Sequence, residues 1–465
     1  MYLKTQGWPS LGILENPMTT HAIDRDAAPA ERIELFRIDT PSMRAFHVTW
    51  MAFFLCFFAW FGLAPLMPVI RDELQLTRQQ VGWCLIGSVA MTVFARLLIG
   101  RLCDRYGPRL TYAWLLWLGA LPVIGAAFAH DFASFFVARL LIGSIGASFV
   151  ITQYHTSKMF APNCVGTANA TAAGWGNLGG GVTQMAMPLL FAAFTGGLGL
   201  SAAFGWRACM VVAGLVCATA GCVYYWFTQD TPQGNFADLR AAQLLAPSKQ
   251  SGSFWTAARN YRVWSLALIY ACCFGLELTL DNVAVLYFSD VFHLDIYRAG
   301  LIAGGFGMMN LFARALGGIV SDRWAREWGL PGRSRWLFVA IFGEGVMLLV
   351  FSQMTSLPLA VAALLGLGLF IKMSNGATYA LVPFVNRSAL GSVAGIVGAG
   401  GNVGAVAAGF LFQSGLSWPT TFWLLGLLVS SCSALALLGS YSQEPAAEPA
   451  LAPAPADAAV APAVS

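Results

Sequence analysis

Apolar runs long enough to cross a bilayer of about 30 Å as helix, about 20 residues each, recur along this chain with short polar breaks between them. They fall near 47–70, 80–102, 111–129, 132–153, 166–195 and 205–227, then near 263–288, 298–320, 336–353, 357–381, 391–413 and 419–440. The pattern predicts twelve helical spans in two sets of six, numbered 1 to 12 below. Residues 228–262, with Asp230, Pro232, Gly234, Asn235, Arg240 and Lys249, read as a polar linker between one six-helix half at 45–227 and another at 263–441. Residues 1–44 carry Asp24, Asp26, Glu31 and Glu34 among several arginines and lack a long apolar core, which predicts a polar cytoplasmic tail in place of a cleaved leader. Beyond Glu444 the chain is almost wholly Ala and Pro without periodicity, so 442–465 is expected to be disordered and dispensable.

The two sets repeat each other. Phe94-Ala95-Arg96, followed by Gly100, Asp104 and Arg105, returns 218 positions later as Phe312-Ala313-Arg314 with Gly318, Asp322 and Arg323. A guanidinium in hydrocarbon costs at least a few kcal/mol, and Asp104 and Asp322 lie over two turns away, too far along the helix to be local partners. The simplest partner for both arginines is a small anion bound between the halves. The structural alternative is that each is capped by carbonyls or paired with an acid on a neighbouring helix.

Glycine marks spans 5 and 11, at Gly174, Gly176, Gly179, Gly180 and Gly181 and at Gly395, Gly398, Gly400, Gly401 and Gly404. This density allows close helix approach in lipid and predicts packing and sliding surfaces. Each run holds one asparagine, Asn177 and Asn402, expected to face each other across the repeat, either against a ligand or as helix stitching. Repeated halves with polar groups at matching depth predict alternating access around a site near the midplane.

Composition narrows the class. With 57% hydrophobic and 10% charged residues and a mean hydropathy of +0.66, the chain is an integral membrane protein. Basic residues collect in the tail and in the loops after even-numbered spans (Arg32, Arg37, Arg105, Arg109, Lys158, Arg259, Arg326, Arg335), which predicts both termini on the cytoplasmic side. A net charge of +4 spread over short loops gives no stripe for nucleic acid. The ten cysteines lie mostly inside apolar runs without metal-ligand spacing and read as small fillers, so no metal, disulfide or cofactor is expected. There is no Walker A loop and no His/Cys cluster, hence no enzyme, and the energy must come from ion gradients.

Gly100-Arg101-Leu102-Cys103-Asp104-Arg105-Tyr106-Gly107-Pro108-Arg109 resembles the loop motif G-x-x-x-D-R-x-G-x-R of the major facilitator superfamily. Ala173-Gly174-Trp175-Gly176-Asn177-Leu178-Gly179-Gly180-Gly181 and Gly398-Ala399-Gly400-Gly401-Asn402-Val403-Gly404 resemble the two nitrate signatures of its nitrate/nitrite porter branch. Similarity extends through Gln153-Tyr154-His155-Thr156-Ser157, Glu277 to Asn282 and Met309 to Gly318, roughly Phe57 to Phe412 in all. The resemblance implies an all-α facilitator fold and a transporter of nitrate, with nitrite, in which Arg96 and Arg314 grip the anion beside the signature helices. The family holds both proton symporters and nitrate/nitrite exchangers, and both couplings stay open.

The remaining intramembrane charges have two readings each. Arg139 opens a stretch to Gly146 that resembles the span-4 motif of many facilitators, which implies a structural or gating role. Glu277 and Asp281, one turn apart, could exchange a proton if burial permits, or pair with Arg139 or a loop arginine, the favoured option. Glu344 and Lys372 have no counterpart in the repeat. Asp104, Arg105, Arg109, Asp322 and Arg323 read as cytoplasmic latches of an outward-facing state. One or two of Phe57, Phe58, Trp60, Phe61, Tyr154, Tyr270 and Phe274 are expected to flank the anion. The expectation is a monomer in the inner membrane; a nitrate receptor without turnover and a facilitator for another anion are the competing functions.

Overall fold

The computed structural model describes residues 24, 27–161, 164–244, 253–386 and 390–438. The Ala/Pro-rich stretch at 442–465, most of the N-terminal tail and Lys249 lie outside the described residues. Eleven helices are long and apolar enough to cross a membrane. The longest, Ala313–Ser352, joins the second part of span 8 to span 9: Gly329 leaves helical geometry at φ 63° and ψ −153°, and Pro331 follows it. The described residues thus contain the twelve expected spans of an all-α fold.

Two spans depart from their expected outlines for local reasons. Span 1 runs Pro41–Phe61, four residues short of Pro65, and begins where the Thr40 hydroxyl accepts from the Met43 N–H at 3.3 Å. Proline cannot donate to a helix ladder, and a separate short helix, Met67–Glu73, carries Pro68 in its first turn. Span 8 is broken: helix Ile296–Met308 passes into a 3-10 turn at Met309–Leu311, Phe312 leaves helical geometry, and the helix resumes at Ala313. Span 4 tightens into a 3-10 turn over Gly143–Ala147, with helical residues on either side.

Small residues set the packing, since in lipid close backbone approach replaces the hydrophobic drive. A Cβ on Gly176 or Gly179 would fall 1.9 Å from the Phe53 ring or 2.0 Å from the Phe54 carbonyl of span 1. On span 11, a Cβ added to Gly400 or Gly404 would fall 2.4 or 2.0 Å from the Ala267 or Ala271 carbonyl of span 7, and one on Gly401 2.5 Å from the Phe274 ring. These five signature glycines therefore weld helices inside one half. Four others turn toward the other half, Gly174, Gly180, Gly181 and Gly398, near Asn310, Asp281, Gly307 and Arg96 respectively.

The halves meet along spans 2 and 11 and along spans 5 and 8. Proximal here denotes the face where span 1 begins and residues 228–262 return; distal is the other. On the distal side Gly82 abuts the Gln413 backbone, and Gly181 abuts Gly307 of span 8. Arg71 pairs with Asp290 at 2.5 Å, Arg139 donates to Asn282 Oδ1 at 2.7 Å, and Gln184 donates to the Asp281 carbonyl at 2.7 Å. Proximally, a side chain at Gly100 of span 2, Gly318 of span 8 or Gly395 of span 11 would meet nothing within 4 Å among the described residues.

The linker is an ordered clamp where it is described. Buried Asp230 accepts from the backbone N–H of Arg109 at 2.8 Å and of Phe236 at 2.8 Å, capping span 3 and a short linker helix at once. Gly107, at φ 86°, leaves room for that carboxylate, because a Cβ there would sit 2.4 Å from it. Burial dominates and pushes the Asp230 carboxyl up to about 6.

Candidate functional site

The second half of the chain supplies a compact polar cluster. Glu277, 2% exposed on span 7, lies 3.0 Å from Arg314 Nη2 through Oε2 and 2.6 Å from Lys372 Nζ through Oε1. Asn310, one turn before Arg314, donates to Oε1 at 2.9 Å, and Asn375, one turn after Lys372, donates to Oε2 at 2.5 Å. The break in span 8 falls at Asn310–Phe312, so Arg314 enters from the first turn of a new helix segment.

Arg96 meets no carboxylate among the described residues. Its Nη1 donates to the Gly398 carbonyl of span 11 at 2.9 Å, across the two halves, and its Nη2 to the Gly146 carbonyl at 3.5 Å. At the 3-10 turn in span 4 the Thr92 hydroxyl of span 2 also donates to the Gly143 carbonyl at 2.5 Å. Phe149 lies 5.5 Å from the Arg96 guanidinium and Phe274 lies 5.8 Å from that of Arg314.

Both arginines line one small cavity of about 10 Å³, with Asn177, Gly398, Phe57, Phe149, Tyr270, Phe274 and Tyr379. That is room for about one water, so four heavy atoms would have to part the two guanidiniums slightly. Buried polar atoms of four of these residues, Nε of Arg96 and of Arg314, Oδ1 of Asn177 and the Tyr379 hydroxyl, have no partner among the described residues. A buried polar group without a partner costs about 1–3 kcal/mol. The walls carry donors, rings and no carboxylate, which suits a small, flat, weakly hydrated anion.

Several sequence expectations change here. The arginines do have protein partners, carbonyls for one and an acid for the other, as the structural alternative held, yet they also converge on a cavity. Glu277 pairs with Arg314 and Lys372, neither with Arg139 nor with a loop arginine; Arg139 reaches Asn282 instead. Asn177 lines the cavity, whereas buried Asn402 donates to the Gly398 carbonyl at 3.3 Å and does not face Asn177 there. Asp281 is buried beside Gly180, one turn distal of Glu277. Of the latch residues, Arg109 donates through Nε to the Tyr225 carbonyl at 2.7 Å, Arg240 donates to the Arg105 carbonyl at 2.9 Å, and Asp322 pairs with Arg333 at 2.6 Å. Asp104 is half-buried near the end of span 2 and Arg323 is exposed. Phe149, Tyr379, Asn310 and Asn375 belong to the site or its support and were not foreseen. Asn310 carried a signal, since it lies four residues before Arg314 and so on the same helical face.

The sequence model of the Major Facilitator Superfamily matches residues 49–382. A bacterial homologue of the human lysosomal transporter Spinster, in an inward-facing and occupied conformation, superposes with a TM-score of 0.68 over 85% of this chain and 96% of that one; at 15% identity this speaks for the fold alone. The chain is thus a facilitator, a transporter class and not an enzyme. High affinity nitrate transporter 2.5 of Arabidopsis thaliana is 39% identical over 424 residues, covering 89% of this chain and 84% of the relative. The nitrate/nitrite transporter NrtP of Nostoc punctiforme is 30% identical over 465 residues, covering 84% and 90%. This chain belongs to the nitrate/nitrite porter family.

Proposed function

We propose that this protein carries nitrate, and nitrite, across the cytoplasmic membrane by alternating access, as a secondary active transporter. The observation that carries the reading is the meeting of Arg96 and Arg314, matched residues of the two halves, at one cavity that bears further donors and no acid. Nitrate is planar and monovalent, and two planar guanidiniums can each present a fork of N–H donors to its oxygens, where a lysine offers only a point charge. Phe57, Phe149, Tyr270 and Phe274 exclude water, which favours an anion that loses its hydration easily.

The distribution of basic residues supports placing the proximal face in the cytoplasm, with both termini there. The distal contacts, Arg71 with Asp290 and Arg139 with Asn282, then close the outer side of an inward-facing state, and the opposite state requires them to part. Two couplings fit this site: protons entering with nitrate, with Glu277 or Asp281 as carrier, or nitrite leaving in exchange. We further propose that a monomer suffices, because one chain supplies both arginines.

The test is flux in proteoliposomes of the purified protein. Nitrate should accumulate either when a pH gradient is imposed or when nitrite is trapped inside, and the condition that drives it names the coupling. Nitrate binding with no flux under either condition would favour a receptor, and neither binding nor flux would overturn the anion site.

A further inference from the structure

Lys372 has no counterpart in the internal repeat, no place in the motifs that resemble the family signatures, and does not line the cavity. It is nonetheless fully buried in span 10, with Nζ 4.3 Å from the Phe306 ring centroid and 2.6 Å from Glu277 Oε1, an ion pair without hydrogen-bond alignment. Glu277 is shared: Arg314 and Asn375 hold one carboxylate oxygen, Lys372 and Asn310 the other.

That sharing has a consequence for any anion at Arg314. A carboxylate paired with a single buried guanidinium would compete with the incoming anion, and drawing the guanidinium away would strand a buried charge, which costs several kcal/mol. A second cation already on the carboxylate removes most of that cost. Arg314 can then turn its donors to the anion while Glu277 stays compensated by Lys372 and by two amides.

We propose that Lys372 is a positioning residue that retains Glu277 as a built-in counter-anion, so that nitrate displaces the carboxylate from Arg314 on binding and the carboxylate returns to help expel it. The inference rests on the anion-site reading above. Lys372 acts only through Glu277 and Arg314.

The experiment measures the nitrate dissociation constant and the exchange rate in proteoliposomes for the full chain and four variants, each checked for monodispersity and melting temperature. Lys372→Met should weaken nitrate binding at least tenfold, although the residue lies outside the cavity wall, and Lys372→Arg should restore it to within about threefold. Glu277→Gln, with Lys372 intact, should bind nitrate more tightly than the native protein while exchanging more slowly, a split that mere loss of packing does not produce. Because Lys372 acts only through Glu277, the double variant, Glu277→Gln with Lys372→Met, should bind nitrate about as tightly as Glu277→Gln alone.

Native affinity in Lys372→Met, weaker binding in Glu277→Gln, or a double variant no better than Lys372→Met would each overturn the proposal. If Lys372→Met does not fold, the Glu277→Gln result decides it. Arg96→Lys, measured alongside, separates the two levels: loss of nitrate binding there with native behaviour in the Lys372 variants defeats only this inference, whereas native binding in Arg96→Lys defeats the anion site itself.

Discussion

Arg96 and Arg314 occupy the same place in two copies of one six-helix unit, yet they are held by different chemistry. Arg96 hangs from two backbone carbonyls, one of them in the other half, on a continuous helix. Arg314 rests on the carboxylate of Glu277, at the start of a helix broken three residues earlier. A carbonyl is a neutral dipole and yields its donor to an anion at little cost. A carboxylate carries the same charge as the anion and competes with it for the same N–H groups. The duplicated frame thus conserves the geometry of the grip and divides the labour: one side offers a cation with little restraint, the other a cation under internal competition.

The severest way to break this comparison is to change each arginine to lysine. Arg96→Lys and Arg314→Lys should each lower nitrate affinity by a factor of about 30 or more, because losing one partner of a buried charged contact costs about 2–5 kcal/mol and an ammonium lacks the planar fork. Nitrate binding and uptake at matched membrane levels check this, and native values in either variant would make that arginine structural. A smaller effect sharpens the comparison at the interface between the halves. Arg71 and Asp290 are each about one-quarter exposed, and pairs of that kind contribute about 1 kcal/mol at most. Arg71→Gln should therefore shift the population toward distal opening by no more than a factor of about five, read as faster labelling of Val81→Cys by a membrane-impermeant thiol reagent. Unchanged labelling would show that the distal contact is not set by this ion pair.

The mildest effect is at Asp230, which has no counterpart argument in the second half. Its folded carboxyl titrates near 6, above the ordinary 3.8, so the folded chain binds the proton more tightly than the unfolded one. The sign follows: the contribution is fully present below about pH 4, declines as pH rises through 6 and is constant above. The difference in melting temperature between the native protein and Asp230→Asn should change across that window and nowhere else between pH 4 and 8. A difference that is flat over pH 4–7 would place the carboxylate in water.

Much of this was legible because hydropathy, repetition and glycine runs are one-dimensional signals. The twelve spans, the two halves and the arginine pair all follow from runs and offsets. The irregularities do not: the break at Asn310–Phe312 and the 3-10 turn at Gly143–Ala147 sit inside apolar runs without proline, and a helix apolar on all sides gives no periodicity from which to read its inward face. For the same reason Phe149 and Tyr379 could not be told from the many lipid-facing aromatics, and Asn402 could not be told from Asn177. The partner of Arg314 was hidden by distance in sequence, since Glu277 lies 37 residues before it on another span. Proline, by contrast, is a one-dimensional signal too: Pro65 falls just past the end of span 1 at Phe61, and Pro68 sits in the first turn of the separate helix that follows.

The Gly398 carbonyl accepts from Arg96 at 2.9 Å and from Asn402 at 3.3 Å, and only the first of these bonds ties the two halves together. An anion that claims the donors of Arg96 therefore takes them from the partner half's backbone. At the proposed anion site cargo and framework would draw on one set of protons, so loading would unfasten one strap between the moving bodies that an unloaded protein keeps fastened. That strap ends on a main-chain oxygen, at a position where no side-chain substitution can remove the acceptor.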